Sequence, residues 1–314
     1  MPAPAIGTIA CSDNLASRGP QRSHWNRIEY GGLNIKNATD ALRALGRGLL
    51  ATLFALASLN VSAADLAIVL DDVGYSKDRS ERAINLPGRL TIAVLPFAPH
   101  TQMLLPAIEA AGHDVTIHQP MEPQPSPSVR VEHDTLRLNM SNDEFDSIVE
   151  RALSQVPQSK GLSNHTGSLL TAHRDPMQRV MRKLSDRSMY FLDSRTTAET
   201  VALDVAIQMG VPAVRRDVFL DHNPASHAIE AAFERAIQVA RRKGHAVVVG
   251  HPYPSTLAFL ESKLRALPGD IKLVTASSIA QRQHEQRRTL SVTRTSKPLV
   301  LPAAFSLSGQ MPVQ

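Results

Sequence analysis

The stretch Leu66-Ala67-Ile68-Val69-Leu70-Asp71-Asp72-Val73-Gly74 decides how the rest of the chain is read. Five consecutive apolar residues bounded by a glycine turn predict a strand covered on both faces, the pattern of parallel sheets. That strand runs straight into two adjacent carboxylates. Desolvating one carboxylate at the end of an apolar strand is costly, and a second beside it adds repulsion, so a cation is the simplest partner. A helix N-cap next to a solvated neighbour is the competing explanation, and this segment alone does not separate the two.

Working outward, other apolar runs end in a similar way. Residues 115–117 stop at His118, 161–163 at Asn164-His165, 189–192 at Asp193-Ser194-Arg195, 213–216 at Asp217 and 246–249 at Gly250-His251, while 91–95 and 271–274 end at Pro96 and Thr275. Between them, helical spacing runs over 101–111, 142–155, 176–187, 200–209, 227–242 and 256–267. Ser141 ahead of Glu144, Asp175 before Pro176, and Gly112, Gly210 and Gly244 mark starts and stops. Strand and helix alternating in this way predict an α/β fold with parallel strands, and seven to eight units favour a (β/α) barrel over an open sheet. Barrels place their chemistry at the C-terminal strand ends, where the His and Asp residues cluster here.

Residues 119–139 interrupt the pattern with Pro120, Pro123, Pro125 and Pro127, which exclude a helix. A long loop over the same rim is expected there, as a lid or substrate wall. No dinucleotide or P-loop glycine fingerprint appears.

The net charge of +5 belongs to the ends of the chain. Residues 1–64 carry six Lys/Arg against three Asp/Glu, and residues 282–314 carry five against one, which leaves the middle at −2. A basic nucleic-acid groove is therefore not expected. Arg43 and Arg47 precede an apolar run over 49–59, and Val61-Ser62-Ala63 has the small residues of a cleavage site. Residues 1–64 are thus expected to be an export leader with an unusually long start, too short in its apolar run to span a bilayer. A periplasmic location with no stable membrane span follows as an expectation. Cys11 is the only cysteine and would leave with the leader, so the mature protein would hold neither a disulfide nor thiol chemistry. The barrel is expected over 65–280. The Arg-, Ser-, Pro- and Gln-rich segment 281–314 is expected to be a disordered basic tail.

Three histidines and an Asp pair all fall at like ends of the inferred strands. A catalytic zinc site needs about three nitrogen or oxygen ligands and an open position. Asp72, His118 and His165 would supply them, with Glu122 as a fourth ligand or a supporting partner. Asp71 would take a proton from water and His251 would protonate the leaving group. Asp193 and Arg195 would orient these groups or form a structural ion pair at the rim. The segment 217–221 is expected to be structural.

At these motifs the chain resembles the divergent polysaccharide deacetylase family. The resemblance covers roughly 66–280 and rests on six ordered stretches: 70–76, 83–88, 118–123, 164–168, 191–196 and 250–254. It implies a distorted (β/α) barrel, and implies Asp71 as base, Asp72 and His118 as ligands and His251 as acid. Mainstream deacetylases draw two ligands from a His-x-x-x-His motif, and here Glu122 stands where the second His would be. His165 is favoured as its replacement because imidazole suits zinc better than a further carboxylate. The mainstream Arg-x-Pro motif is also absent, with Asn164-His165 in its stead. The expected function is an exported hydrolase, using zinc or another divalent metal, that deacetylates an N-acetyl amino-sugar polymer of the cell envelope. The alternatives are a non-catalytic envelope protein that binds glycan or protein on the same barrel, and a metal hydrolase of another ester or amide.

Overall fold

The computed structural model describes residues 63–127 and 131–295. The expected leader therefore lies outside the described residues except for Ala63 and Ala64, and so does Cys11. In chain order the described elements are β1 (Ala64–Val73), α1 (Lys77–Ile84), β2 (Thr91–Val94), α2 (Thr101–Ala110), β3 (Asp114–Met121), α3 (Asn142–Gln155), β4 (Gly161–Thr166), α4 (Arg174–Ser185) and β5 (Tyr190–Asp193). They continue with α5 (Ala202–Gln208), β6 (Ala213–Arg215), β7 (Val218–Phe219), α6 (Ser226–Lys243), β8 (His245–Gly250), α7 (Pro254–Lys263), β9 (Ile271–Val274) and α8 (Ala276–Thr295).

Every strand pairing is parallel, in the order β6-β5-β4-β3-β2-β1-β8-β7, with β9 beside the first half of β1. The sheet curls into a half-barrel. Segment 213–219 links its two edges. The Arg216 N–H donates to Asp193 O at 2.9 Å on one side, and the Asp217 N–H donates to Val247 O at 2.8 Å on the other.

Strand alternation sorts the core into two sets. Leu66, Ile68 and Leu70 of β1 pack with Ile92, Ile117, Phe191 and Val248 in the layer between sheet and helices. Ala67 and Val69 meet Ala93, Leu192, Val214, Val247 and Val249 on the inner face. The interior is narrow. A Cβ on Gly161 would lie 2.3 Å from the Tyr190 ring, so β4 can pass this aromatic only as glycine.

The segment expected to be a disordered tail is helical as far as Thr295, which corrects that expectation over 281–295; residues 296–314 lie outside the described residues. Composition missed it because its anchors are distant in sequence. Ala276, Ile279 and Ala280 join the inner-face core, the Ala276 N–H donates to Thr91 Oγ1 at 3.0 Å, Gln283 meets His245 at 2.8 Å, and Arg282 reaches Asp65. All these partners stand at strand starts, so α8 covers the base of the half-barrel.

Two short elements were also absent from the sequence-based expectation. Helix α1 is mostly polar and exposed, which hides its period, and β7 is only two residues long. The expected loop over 119–139 gives up its first residues to β3, which runs to Met121. Pro120 is tolerated in that strand because β2 has already ended, and the Leu136 N–H that replaces it donates to the Pro120 carbonyl and asks nothing of its nitrogen. Among the described residues, no helix is long and apolar enough to cross a membrane.

Candidate metal centre

The same alternation aims the site. Val69 and Asp71 of β1, Thr116 and His118 of β3, Ser163 and His165 of β4, and Val249 with His251 beyond β8 share the inner-face parity. Tyr190 closes the floor, its hydroxyl 2.5 Å from Thr116 Oγ1. In a regular strand Asp71 and Asp72 would face opposite sides. The register shift between Leu70 and Val73 and the left-handed backbone of Asp72, with φ of 58°, bring both carboxylates to the rim. Gly74 must follow, since its φ is 124° and a Cβ there would lie 2.4 Å from Thr101 Oγ1. Thr166 and Arg195, at the ends of β4 and β5, share the left-handed conformation.

Asp72, His118 and His165 each offer one ligand-type atom, and these atoms lie within 4.8 Å of one another. His165 Nδ1 is 2.9 Å from Asp72 Oδ1, and His118 Nε2 is 3.4 Å from both Asp72 Oδ1 and Asp71 Oδ2. Ser163 Oγ sits 2.7 Å from His118 Nδ1 and itself approaches Ile117 O at 3.5 Å. With the serine hydroxyl turned to that carbonyl, Nδ1–H donates to Ser163, which leaves Nε2 directed at the carboxylates to carry either a proton or a metal ion. Glu132 Oε1 lies 3.8 Å from His165 Nε2 and accepts from the Tyr75 hydroxyl at 2.5 Å, so the proline-rich segment does wall the site.

The donor set fits a divalent ion of the zinc class. Asp71 Oδ1 is a buried oxygen without a hydrogen-bond partner among the described residues, and Asp72 Oδ1 meets only the ring nitrogens of His118 and His165, a costly condition that a cation would relieve. Burial pushes Asp71 above the ordinary carboxylate range, and His118 and His251 only partly oppose it. Burial pushes Asp72 the same way, but hydrogen bonds with His118 and His165 outweigh it and hold Asp72 far below that range. Burial disfavours charge on His165, yet the bond to Asp72 lifts it above the usual imidazole value.

His251 faces the cluster from the other side, with Nε2 3.8 Å from Asp72 Oδ2. Its Nδ1 lies 3.0 Å from Asp221 Oδ1, and Asp221 Oδ2 accepts from the His251 N–H at 2.6 Å and the Thr256 hydroxyl at 2.8 Å. Burial opposes the imidazolium, but Asp221 first, then Asp72 and Asp71, push its pKa up to about 9. Asp221, in the segment expected to be structural, instead reaches His251 at the cavity. Its signal was the five-residue Asp217–Asp221 spacing beside a short apolar pair, and nothing local ties it to a histidine 30 positions later.

Other expected site residues are placed differently. Glu122 turns away from the cluster: its Oε2 accepts from the Leu138 N–H at 2.8 Å and its backbone pairs with Leu136, so it fastens the wall instead of ligating. Asp193 does not orient the ligands, because its oxygens accept from the Arg195 N–H at 2.9 Å and the Thr200 hydroxyl at 3.0 Å. The proposed Asp193–Arg195 ion pair does not form, and Arg195 instead lines the cavity in front of the cluster. That cavity, of about 700 Å³, also holds Asp71, His118, His165 and His251. Arg216 donates from Nε to Ser194 O and from an NH2 group to Arg195 O, both at 2.7 Å, and lies 4.8 Å from the Phe219 ring.

The family model described as divergent polysaccharide deacetylase matches residues 68–280. The uncharacterized protein YibQ of Escherichia coli (strain K12) is 41% identical over 232 residues, covering 73% of this chain and 71% of that protein. An uncharacterized protein of Haemophilus influenzae (strain ATCC 51907 / DSM 11121 / KW20 / Rd) is 36% identical over 217 residues, covering 69% and 77%. The crystal structure of the uncharacterized protein ATU2773 from Agrobacterium tumefaciens C58 superposes with a TM-score of 0.67 at 24% identity, covering 69% of this chain and 89% of that one, a likeness of fold. With the match spanning β1 to the start of α8 and every element of the rim cluster, the chain belongs to the divergent polysaccharide deacetylase family.

Proposed function

We propose that this protein is a metal-dependent hydrolase that removes acetyl groups from an N-acetylated amino-sugar polymer. Asp72, His118 and His165 would hold a zinc-class ion, which when bound acidifies water and polarises a carbonyl oxygen. Asp71, kept basic by burial, takes a proton from the attacking water. His251, oriented by Asp221 and charged at neutral pH, holds the proton that the amine leaving group requires. The Glu132 wall and the closed Tyr190 floor restrict water on two sides.

The observation that carries this reading is the pairing of a three-residue ligand-type cluster with a buried carboxylate that keeps one oxygen unmatched, and an Asp-His couple across one cavity. It is tested by metal analysis of the purified protein together with acetate release from N-acetylglucosamine oligomers and peptidoglycan. Stoichiometric zinc with acetate release supports the reading, and no turnover on any N-acetylated glycan overturns it. We further propose that the chain works in the cell envelope after export. Arg43, Arg47 and the apolar run over 49–59 support this, and it fails if cell fractionation finds the uncleaved chain in the cytoplasm.

A further inference from the structure

The cavity is electrically lopsided. Its β1, β3 and β4 side carries Asp71, His118 and His165, whereas its β5, β6 and α6 side carries Arg195, Arg216 and Arg235 with a single acid, Asp217. Among the described residues, none of these guanidinium groups forms an ion pair with a carboxylate. The acids nearby are already engaged. Asp193 accepts from the Arg195 backbone and Thr200, and Asp217 is held by Lys243 at 2.6 Å and by the Val247 N–H at 3.0 Å. Arg216 donates only to carbonyl oxygens.

A second observation points the same way. Ser194 is 5% exposed and lines the cavity, and its buried hydroxyl has no hydrogen-bond partner among the described residues. A buried donor is left unmatched at a cost unless a ligand supplies the acceptor. Three guanidinium groups without an ion-pair partner, lining one cavity with an unmatched hydroxyl, describe a site complementary to an oxyanion, and guanidinium forks match carboxylate and phosphate oxygens in pairs.

We propose that the substrate carries an anionic group, a carboxylate or a phosphate ester, which Arg195, Arg216, Arg235 and the Ser194 hydroxyl bind while the neutral acetamide faces the metal centre. The inference deepens the reading above and rests on it for the reaction. Repulsion from Asp71 and Asp72 sets the direction, since an anion is drawn to the arginine wall and away from the carboxylates. A neutral polymer such as chitin would leave the wall unused.

Calorimetry on the zinc-loaded full chain tests this with three probes of equal length: N-acetylglucosamine tetramer, alternating N-acetylglucosamine and glucuronate, and a 6-phosphorylated N-acetylglucosamine tetramer. A charged probe is expected to bind about 10- to 100-fold more tightly than the neutral one, with affinity falling as salt rises, and the better of the two identifies the oxyanion. Arg195 and Arg235 are exposed, so the Arg195→Ala/Arg235→Ala variant should keep its melting temperature and lose the preference. Ser194→Ala should weaken binding of the charged probe alone. Equal affinity for neutral and charged probes, no binding of either charged probe, or a preference that survives in the double variant overturns the proposal. Charged-probe binding without acetate release would sink the hydrolytic reading and leave this one standing, and acetate release from the neutral tetramer without charge preference would do the reverse.

Discussion

Two buried histidines, His113 just ahead of strand β3 and His118 within it, live in opposite circumstances. His113, at the base, accepts the Leu90 N–H on Nδ1 at 3.1 Å and donates from Nε2 to Ile84 O at 2.7 Å, so both ring nitrogens are matched. Around it Asp114 meets Ser277 and Arg89, and Thr91 receives the first N–H of α8. His118, at the rim, has only Ser163 as a neutral partner and faces two carboxylates, of which Asp71 keeps an unmatched oxygen. Among the described residues, three of the four left-handed non-glycine positions, Asp72, Thr166 and Arg195, also stand at rim strand ends. The base satisfies its own polar groups, whereas the rim leaves some of its own unmatched, which the proposed cation and substrate would complete.

Breaking the rim should cost the most activity and the least stability. Asp71→Asn is expected to lower acetate release by about 10²- to 10⁴-fold, the usual contribution of a positioned base, while zinc content holds and the melting temperature stays level or rises. A variant that loses zinc or unfolds would show that Asp71 serves the fold. The converse change is His113→Ala, which strands two buried backbone groups and should lower stability by about 2–4 kcal/mol in urea unfolding with zinc affinity intact. Equal losses of zinc affinity and stability would erase the contrast between the two ends.

Titration sharpens the comparison. Burial holds His113 below the ordinary imidazole value of 6.5, so the unfolded chain binds the proton more readily, and its contribution to stability should be lost as pH falls from 6.5. At the rim the sign reverses for His251, whose folded pKa of about 9 keeps it charged through neutrality. Acetate release should therefore fall as pH rises through about 9. Asp221→Asn removes the largest support for that charge and should move the alkaline limb to lower pH by about one unit, measured as the pH profile of kcat. An unmoved limb would detach His251 from proton transfer. The smallest effect belongs to the base surface, where Arg282→Ala removes a partly exposed contact to Asp65 and should cost less than about 1 kcal/mol.

Much of this was legible along the chain. The eight apolar runs all became strands, and helices such as 142–155 needed only Ser141 and a clear apolar stripe to be placed. Asp72, His118 and His165 could be grouped because each follows such a run. Glu122 could not be excluded on the same grounds, since its turn toward Leu138 depends on how the proline-rich wall folds back along β3. Asp221 was hidden for a related reason: β7 is two residues long, and only its pairing with β8 carries Asp221 to His251. The helix over 281–295 escaped because its apolar contacts are few and its anchors lie at the starts of β1, β2 and β8.

The sequence by itself determined the alternation of strand and helix, the two-residue period that divides inner from outer faces, and the residue types waiting at the strand ends. These are local properties, written in spacings shorter than a single element. Only the tertiary structure decided which strand ends are neighbours, that a bulge and a left-handed aspartate turn Asp71 and Asp72 to one side, and that the arginines gather opposite them. Register, curvature and charge distribution arise from contacts between segments far apart in the chain, and no stretch of sequence contains them alone.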